Sequence, residues 1–152
     1  RATTDTAGRT CLARYGDHRL VSAVTLTATP LWAALLTLLY SGLAAQVIRG
    51  RYRTRTAIGS GGDAALERAI RAHANFAEYV PLSLLLRLML ELQGAWPTLV
   101  HILGLVLLVG RAWHAIGITD VEEVLSRRRL GMIATFAVLG FAAFGNLVLL
   151  WL

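Results

Sequence analysis

Residues 66–81 read LERAIRAHANFAEYVP and place Arg68, Arg71, His73, Asn75 and Glu78 where the surrounding sequence predicts entry into a bilayer. Ionisable groups at membrane depth are costly, and the ones that persist usually serve a site. Arg68, Arg71, Asn75 and Glu78 step by about three, four and three residues, the spacing that lines up side chains on one face of a helix. The segment is therefore expected to be a helix carrying one polar stripe.

The sequence around it is that of an integral membrane protein. Of its 152 residues 56% are apolar, and the mean hydropathy is +0.58. No charge falls between Arg19 and Arg49, between Glu91 and Arg111, or beyond Arg129. Each gap approaches or exceeds the roughly 20 residues that a helix needs to cross a bilayer. A fourth crossing must run between Arg71 and Gln93, and it is the least hydrophobic because it holds the stripe. The chain is thus read as an all-α, integral membrane four-helix bundle. It forms a single domain over residues 29–152, preceded by a leader of doubtful origin over 1–28.

The expected helices are 29–48, 63–93, 97–118 and 130–152. Pro30 and Pro97 suit a first helical turn, and Asp63 is an expected N-cap with Glu67 near the positive end of the dipole. Pro81 lies inside the second helix, where it removes the bond to the Ala77 carbonyl and predicts a kink. Thr119 and Glu122 have capping-box spacing, which predicts a short surface helix before Arg127.

Arginine is the whole basic complement, for the chain has no lysine. Arg49, Arg51, Arg53, Arg55 and Arg68 flank the first connection and Arg127, Arg128 and Arg129 the third, whereas the connection at Gln93–Pro97 has none. The positive-inside rule puts the arginine-rich connections in the cytoplasm and both termini outside. Arg1, Arg9, Arg14 and Arg19 weaken that bias without reversing it. The leader lacks the apolar core of a signal peptide. It holds the one cysteine, Cys11, so no disulfide forms within the chain. The basic pI of about 10.7 implies anionic lipid headgroups rather than nucleic acid, because the arginines adjoin membrane spans.

The run Gly59-Ser-Gly-Gly62 lacks the Gly-Lys-Ser/Thr ending of a phosphate loop and reads as a flexible connection. His18, His73, His101 and His114 are too scattered for metal spacing, and no metal site is expected. Folding the second and third helices back about Gly94 and Ala95 brings Glu78 level with Arg111 and Asn75 level with His114. Glu78 and Arg111 are then an expected structural ion pair, since a paired charge in hydrocarbon is far better than a lone one. Arg71 and the run 127–129 approach from the same end, so the polar groups converge on one pocket facing the cytoplasm. Several guanidiniums, one carboxylate and an amide suit a small zwitterionic acid. Glutathione fits that inventory, as would an amino acid or a phosphate headgroup.

The ordered pattern Arg68-x-x-Arg71-x-x-x-Asn75-x-x-Glu78-Tyr79-x-Pro81 resembles the second-helix signature of the MAPEG family, the membrane-associated proteins of eicosanoid and glutathione metabolism. Arg111-x-x-His114 resembles the third-helix motif of its prostaglandin E synthase branch. The resemblance runs from about Thr29 to the C-terminus and implies a homotrimer in a bacterial inner membrane, with glutathione bound near the cytoplasmic side between subunits. By matching positions it implies that Arg71, Asn75, Glu78 and Tyr79 hold glutathione, with Arg68 and His114 beside them. Arg129 matches the arginine that activates the thiol, and Arg128 is its alternative within the run. The implied activity is a glutathione transferase or peroxidase on hydrophobic electrophiles that arrive from the lipid. Members that bind ligand without turnover give the alternative, a lipid-binding or scaffold protein. One departure stands out: Gly117 and Ile118 occupy the places where family enzymes often carry a tyrosine.

The remaining polar residues have structural readings. Arg49 to Arg55 is expected to be a solvated topogenic run, and Arg87 with Glu91 a local ion pair. His73 is expected to be a helix contact and Asn146 to bond across helices. His101, Tyr40, Trp32, Trp96, Trp113 and Trp151 require no functional role. Gly131, Ala134, Gly140, Ala143 and Gly145 suit close helix packing.

Overall fold

The computed structural model describes residues 26–119 and 125–151. Four helices account for nearly all of them: α1 (Ala28–Thr54), α2 (Ala64–Leu92), α3 (Pro97–Thr119) and α4 (Leu125–Leu150). α1, α3 and α4 are long and apolar enough to cross a membrane. α2 has the length, about 43 Å at ~1.5 Å per residue, but carries six charged residues. It packs against the other three helices, while α1 and α4 are not neighbours. The least apolar helix is therefore one of the two, with α3, that pack against all the others, which shelters its charge.

α1 runs six residues past its expected end, and α4 begins five earlier than expected. The extension of α1 is arginine-rich, and arginine is a good helix former where water solvates its head. Arg55 ends α1 in the left-handed conformation, at φ 53°. Arg51 then folds back, its Nη1 donating to the carbonyl oxygens of Ala57 at 2.8 Å and Gly59 at 3.3 Å. Arg53 meets Asp63 at 3.0 Å. The run is thus only partly a solvated one, because two of its arginines hold the connection together. The proposed capping box and surface helix involve residues 120–124, outside the described residues, as does the leader.

Asp63 caps α2 as expected, accepting from the Leu66 N–H at 2.7 Å. α2 is continuous through Pro81. It turns into α3 at Gly94, whose φ of 82° is one that glycine adopts without strain.

Glu91 departs from its expected role. It does not pair with Arg87 but reaches across to the start of α1, where Thr27 makes no side-chain cap. Its Oε1 accepts from the N–H groups of Thr27 and Ala28 at 2.7 and 2.8 Å, and its Oε2 from Thr29 at 2.7 Å. Unsatisfied helix-terminal N–H groups are severely penalised in a membrane, and a carboxylate also complements the dipole. Arg87, fully buried, donates instead to the Val100 carbonyl at 3.0 Å.

Other polar links tie the helices together. Trp32 donates to His101 at 3.1 Å, and Asn146 donates to the Leu86 carbonyl at 2.9 Å while accepting from Gln93 at 2.6 Å. His73 stacks on Tyr40 at 4.7 Å. Outward faces remain apolar: Phe141 and Phe144 are each 67% exposed, a surface suited to lipid or protein rather than water.

Candidate functional site

Small residues bring α3 and α4 together where the polar groups lie. A Cβ added to Gly131 would fall 2.6 Å from both the Gly110 carbonyl and the His114 Cβ, and one added to Gly110 would fall 2.9 Å from the Ala134 Cβ. Only backbone fits, and close backbone approach is how membrane helices gain packing energy. Gly117 does the same for the start of α4, since its added Cβ would lie 2.9 Å from the Arg127 Cβ and 3.1 Å from the Arg128 nitrogen. Gly117 is thus tied to this chain's helix packing.

Beside that seam opens a cleft of about 880 Å³ between α2, α3 and α4. Arg71, Asn75, Glu78, His114, Arg128 and Arg129 all line it, with Ile118, Leu125, Met132 and Ile133 as apolar wall. Arg71, Glu78 and Arg129 are exposed, whereas His114 is buried. Two predicted residues are not part of the lining. Arg68 is half-buried nearby with an Nε that has no partner, and Tyr79 packs edge-on against Phe136 at 5.5 Å.

Arg111 is not paired with Glu78. Arg111 is 1% exposed, and its guanidinium donates from Nη1 to the Asn75 Oδ1 at 2.8 Å. It donates from Nη2 to the Gly131 carbonyl and the Met132 sulfur, each at 3.4 Å, and lies 5.7 Å from the centre of the Tyr79 ring. The expected level was one turn out. Glu78 stands about 60° round the helix from Asn75 at ~3.6 residues per turn, which turns it to the exposed face while Asn75 points inward.

These bonds decide what the cleft offers. Arginine only donates, so Asn75 must turn its oxygen to Arg111, leaving its NH₂ as a donor. His114 Nδ1 lies 3.1 Å from the Arg128 carbonyl. A carbonyl only accepts, so Nδ1 carries a proton and the neutral ring keeps Nε2 as an acceptor. That Nε2 is buried and has no partner. Arg71 also bonds Glu67 at 3.1 Å on the exposed surface, an i,i+4 pair worth only a few tenths of a kcal/mol and readily exchanged. The cleft is therefore a cationic recess with one carboxylate, one amide donor and one imidazole acceptor. Met132 escaped sequence reasoning, although its position one turn beyond Arg129 was the available signal.

A four-helix bundle with three helices long and apolar enough to cross a membrane, and with a guanidinium-lined cleft between its helices, defines the class: an all-α membrane protein. The sequence model of the MAPEG family matches residues 29–148, and the chain belongs to that family. Inner membrane protein YecN of Escherichia coli strain K12 is 40% identical over 117 residues, 77% of this chain and 88% of that protein. YecN of Escherichia coli O6:H1 matches with the same identity and coverage. The protein is accordingly an integral membrane protein of the MAPEG family.

Proposed function

We propose that the protein binds glutathione in this cleft and acts as a glutathione-dependent transferase or peroxidase on hydrophobic electrophiles. The carrying observation is the grouping of Arg71, Arg128 and Arg129 around Glu78, Asn75 and His114 in one recess. Glutathione matches that donor set: it has two carboxylates for guanidiniums, an ammonium for Glu78, and peptide groups for the Asn75 amide and the His114 Nε2. When bound it supplies a thiol nucleophile. Arg129 would hold negative charge at sulfur, the form that attacks. Arg71, Asn75 and Glu78 would fix the peptide so that the sulfur faces the apolar wall, from which a lipid-dissolved substrate arrives.

The reading includes a homotrimer in a bacterial inner membrane, surrounded by membrane lipids, with both termini outside and the cleft facing the cytoplasm. Two facts support parts of it: the relatives are inner membrane proteins by name, and the arginines cluster at the end of the bundle that holds the cleft. Turnover of a hydrophobic aryl halide with glutathione tests the function. Wild type is expected to turn over, and Arg129→Ala to lower kcat at least tenfold with glutathione affinity changed much less. A second reading, ligand binding without turnover, draws on Gly117 and Ile118, which offer no hydroxyl to the cleft. Saturable glutathione binding with no turnover across a panel of electrophiles would favour it.

A further inference from the structure

The four arginines at the end of α1 do not share one role. Arg51 closes the connection, Arg53 pairs with Asp63, and Arg55 ends the helix in the left-handed conformation. Arg49 is exposed and makes no hydrogen bond among the described residues, but it borders a recess. With Gln46 and Arg53, the successive turns of the same α1 face, it lines a second cleft of about 320 Å³ whose opposite wall is the start of α2 at Ala65 and Ala69. Gly50 makes the junction close, its added Cβ falling 2.9 Å from Leu66 Cδ1. Arg53 uses a single nitrogen, Nη2, for both Asp63 oxygens, at 3.0 and 3.1 Å. Its Nη1 and Nε stay available. From Ala28 to Arg49 the helix rises about 32 Å at ~1.5 Å per residue, close to the ~30 Å hydrocarbon thickness, a length that suits a placement of Arg49 at a membrane surface when Ala28 lies at the opposite one.

We propose that this cleft between α1 and the start of α2 is a binding site for a phosphate ester, gripped by Arg49 and Arg53 at the membrane surface. The site is separate from the cleft between α2, α3 and α4. Two guanidiniums on one helix face match the oxygens of a phosphodiester or phosphomonoester, and Gln46 adds an amide donor. An anionic phospholipid headgroup and a free phosphate ester share that chemistry.

The test is native mass spectrometry of the full chain released from mixed micelles containing phosphatidylglycerol or phosphatidylcholine, beside a titration with glycerol 1-phosphate. One phosphatidylglycerol per subunit should be retained in preference to phosphatidylcholine. Arg49→Gln should weaken retention about tenfold or more, from the loss of charge-assisted bonds. Arg55→Gln removes the same charge from the same end and should cost no more than the roughly fivefold of general surface attraction. Asp63→Asn keeps an N-cap acceptor for α2 but releases Arg53, and should tighten binding, a gain that damaged folding cannot produce. The same variant pattern with glycerol 1-phosphate alone would assign the site to a free ester and uphold its phosphate chemistry. Equal losses in Arg49→Gln and Arg55→Gln, or no binding of either probe, would overturn the proposal.

Discussion

Replacing Glu91 by Gln would test the interlock between α1 and α2 with almost no change in volume. The carboxylate accepts three backbone N–H groups, from Thr27, Ala28 and Thr29, at 2.7 to 2.8 Å. An amide keeps one accepting oxygen and turns an NH₂ toward the remaining N–H groups, so at least one bond becomes a donor facing a donor. A bond to a charged group contributes about 1.5–3 kcal/mol net, and loss of the charge beside the helix N-terminus removes a further ~0.5–1 kcal/mol. Together these predict a loss of about 2–4 kcal/mol for Glu91→Gln. Glu91→Ala, which leaves all three groups unsatisfied, should lose more. Reversible unfolding in mixed micelles, titrated with sodium dodecyl sulfate, reads the difference. Glu78→Gln, on the exposed face, serves as the comparison and should change stability by no more than about 0.5 kcal/mol. A Glu91→Gln protein as stable as the Glu78→Gln protein would refute the capping account.

Asn75→Ala strips the Arg111 guanidinium of its closest acceptor and should lower unfolding stability by about 2–3 kcal/mol, whereas Glu78→Ala should leave it nearly unchanged; the same micelle titration separates them. Gly131→Val must drive α3 from α4 because the obstacles include the Gly110 carbonyl and the His114 backbone; a loss of about 3 kcal/mol or more is expected, visible as a lowered melting temperature. Asp63 gives a pH signature. The Leu66 N–H, then the neighbouring Arg53, hold its carboxyl below the ordinary value near 3.8. Its contribution is therefore complete above about pH 5 and fades as pH falls below about 4 through the lowered value. Melting temperatures of wild type and Asp63→Asn should differ by a constant amount above pH 5 and converge in acid.

The crossings were legible because hydrocarbon thickness imposes a length and excludes charge, and both are visible in the three uncharged gaps. Asp63 as a cap and the convergence of Arg71, Asn75, Glu78 and His114 on one cleft followed from local spacing and a single hairpin turn. What escaped depends on rotation between helices distant in sequence. Arg87 and Glu91 have ion-pair spacing, yet Glu91 caps α1 some 62–64 residues away, because three unsatisfied N–H groups at a membrane-helix terminus outbid a local cation. Arg111 chose Asn75 over Glu78 for a similar reason. Equal depth left the azimuth undetermined, and burial selected the partner facing inward. The ends of α1 and α4 were set by helix-forming residues outside the apolar stretch, where hydropathy carries no boundary.

The most direct measurement of the central claim is calorimetric titration of the purified, detergent-solubilised protein with glutathione, alongside Arg71→Ala and Glu78→Ala. Both residues line the cleft from exposed positions on α2, so neither substitution should disturb the fold. Saturable binding by wild type that is lost in both variants is the predicted result. A folded wild-type protein that gives no heat of binding, or variants that bind as wild type does, would contradict the assignment of this cleft to glutathione.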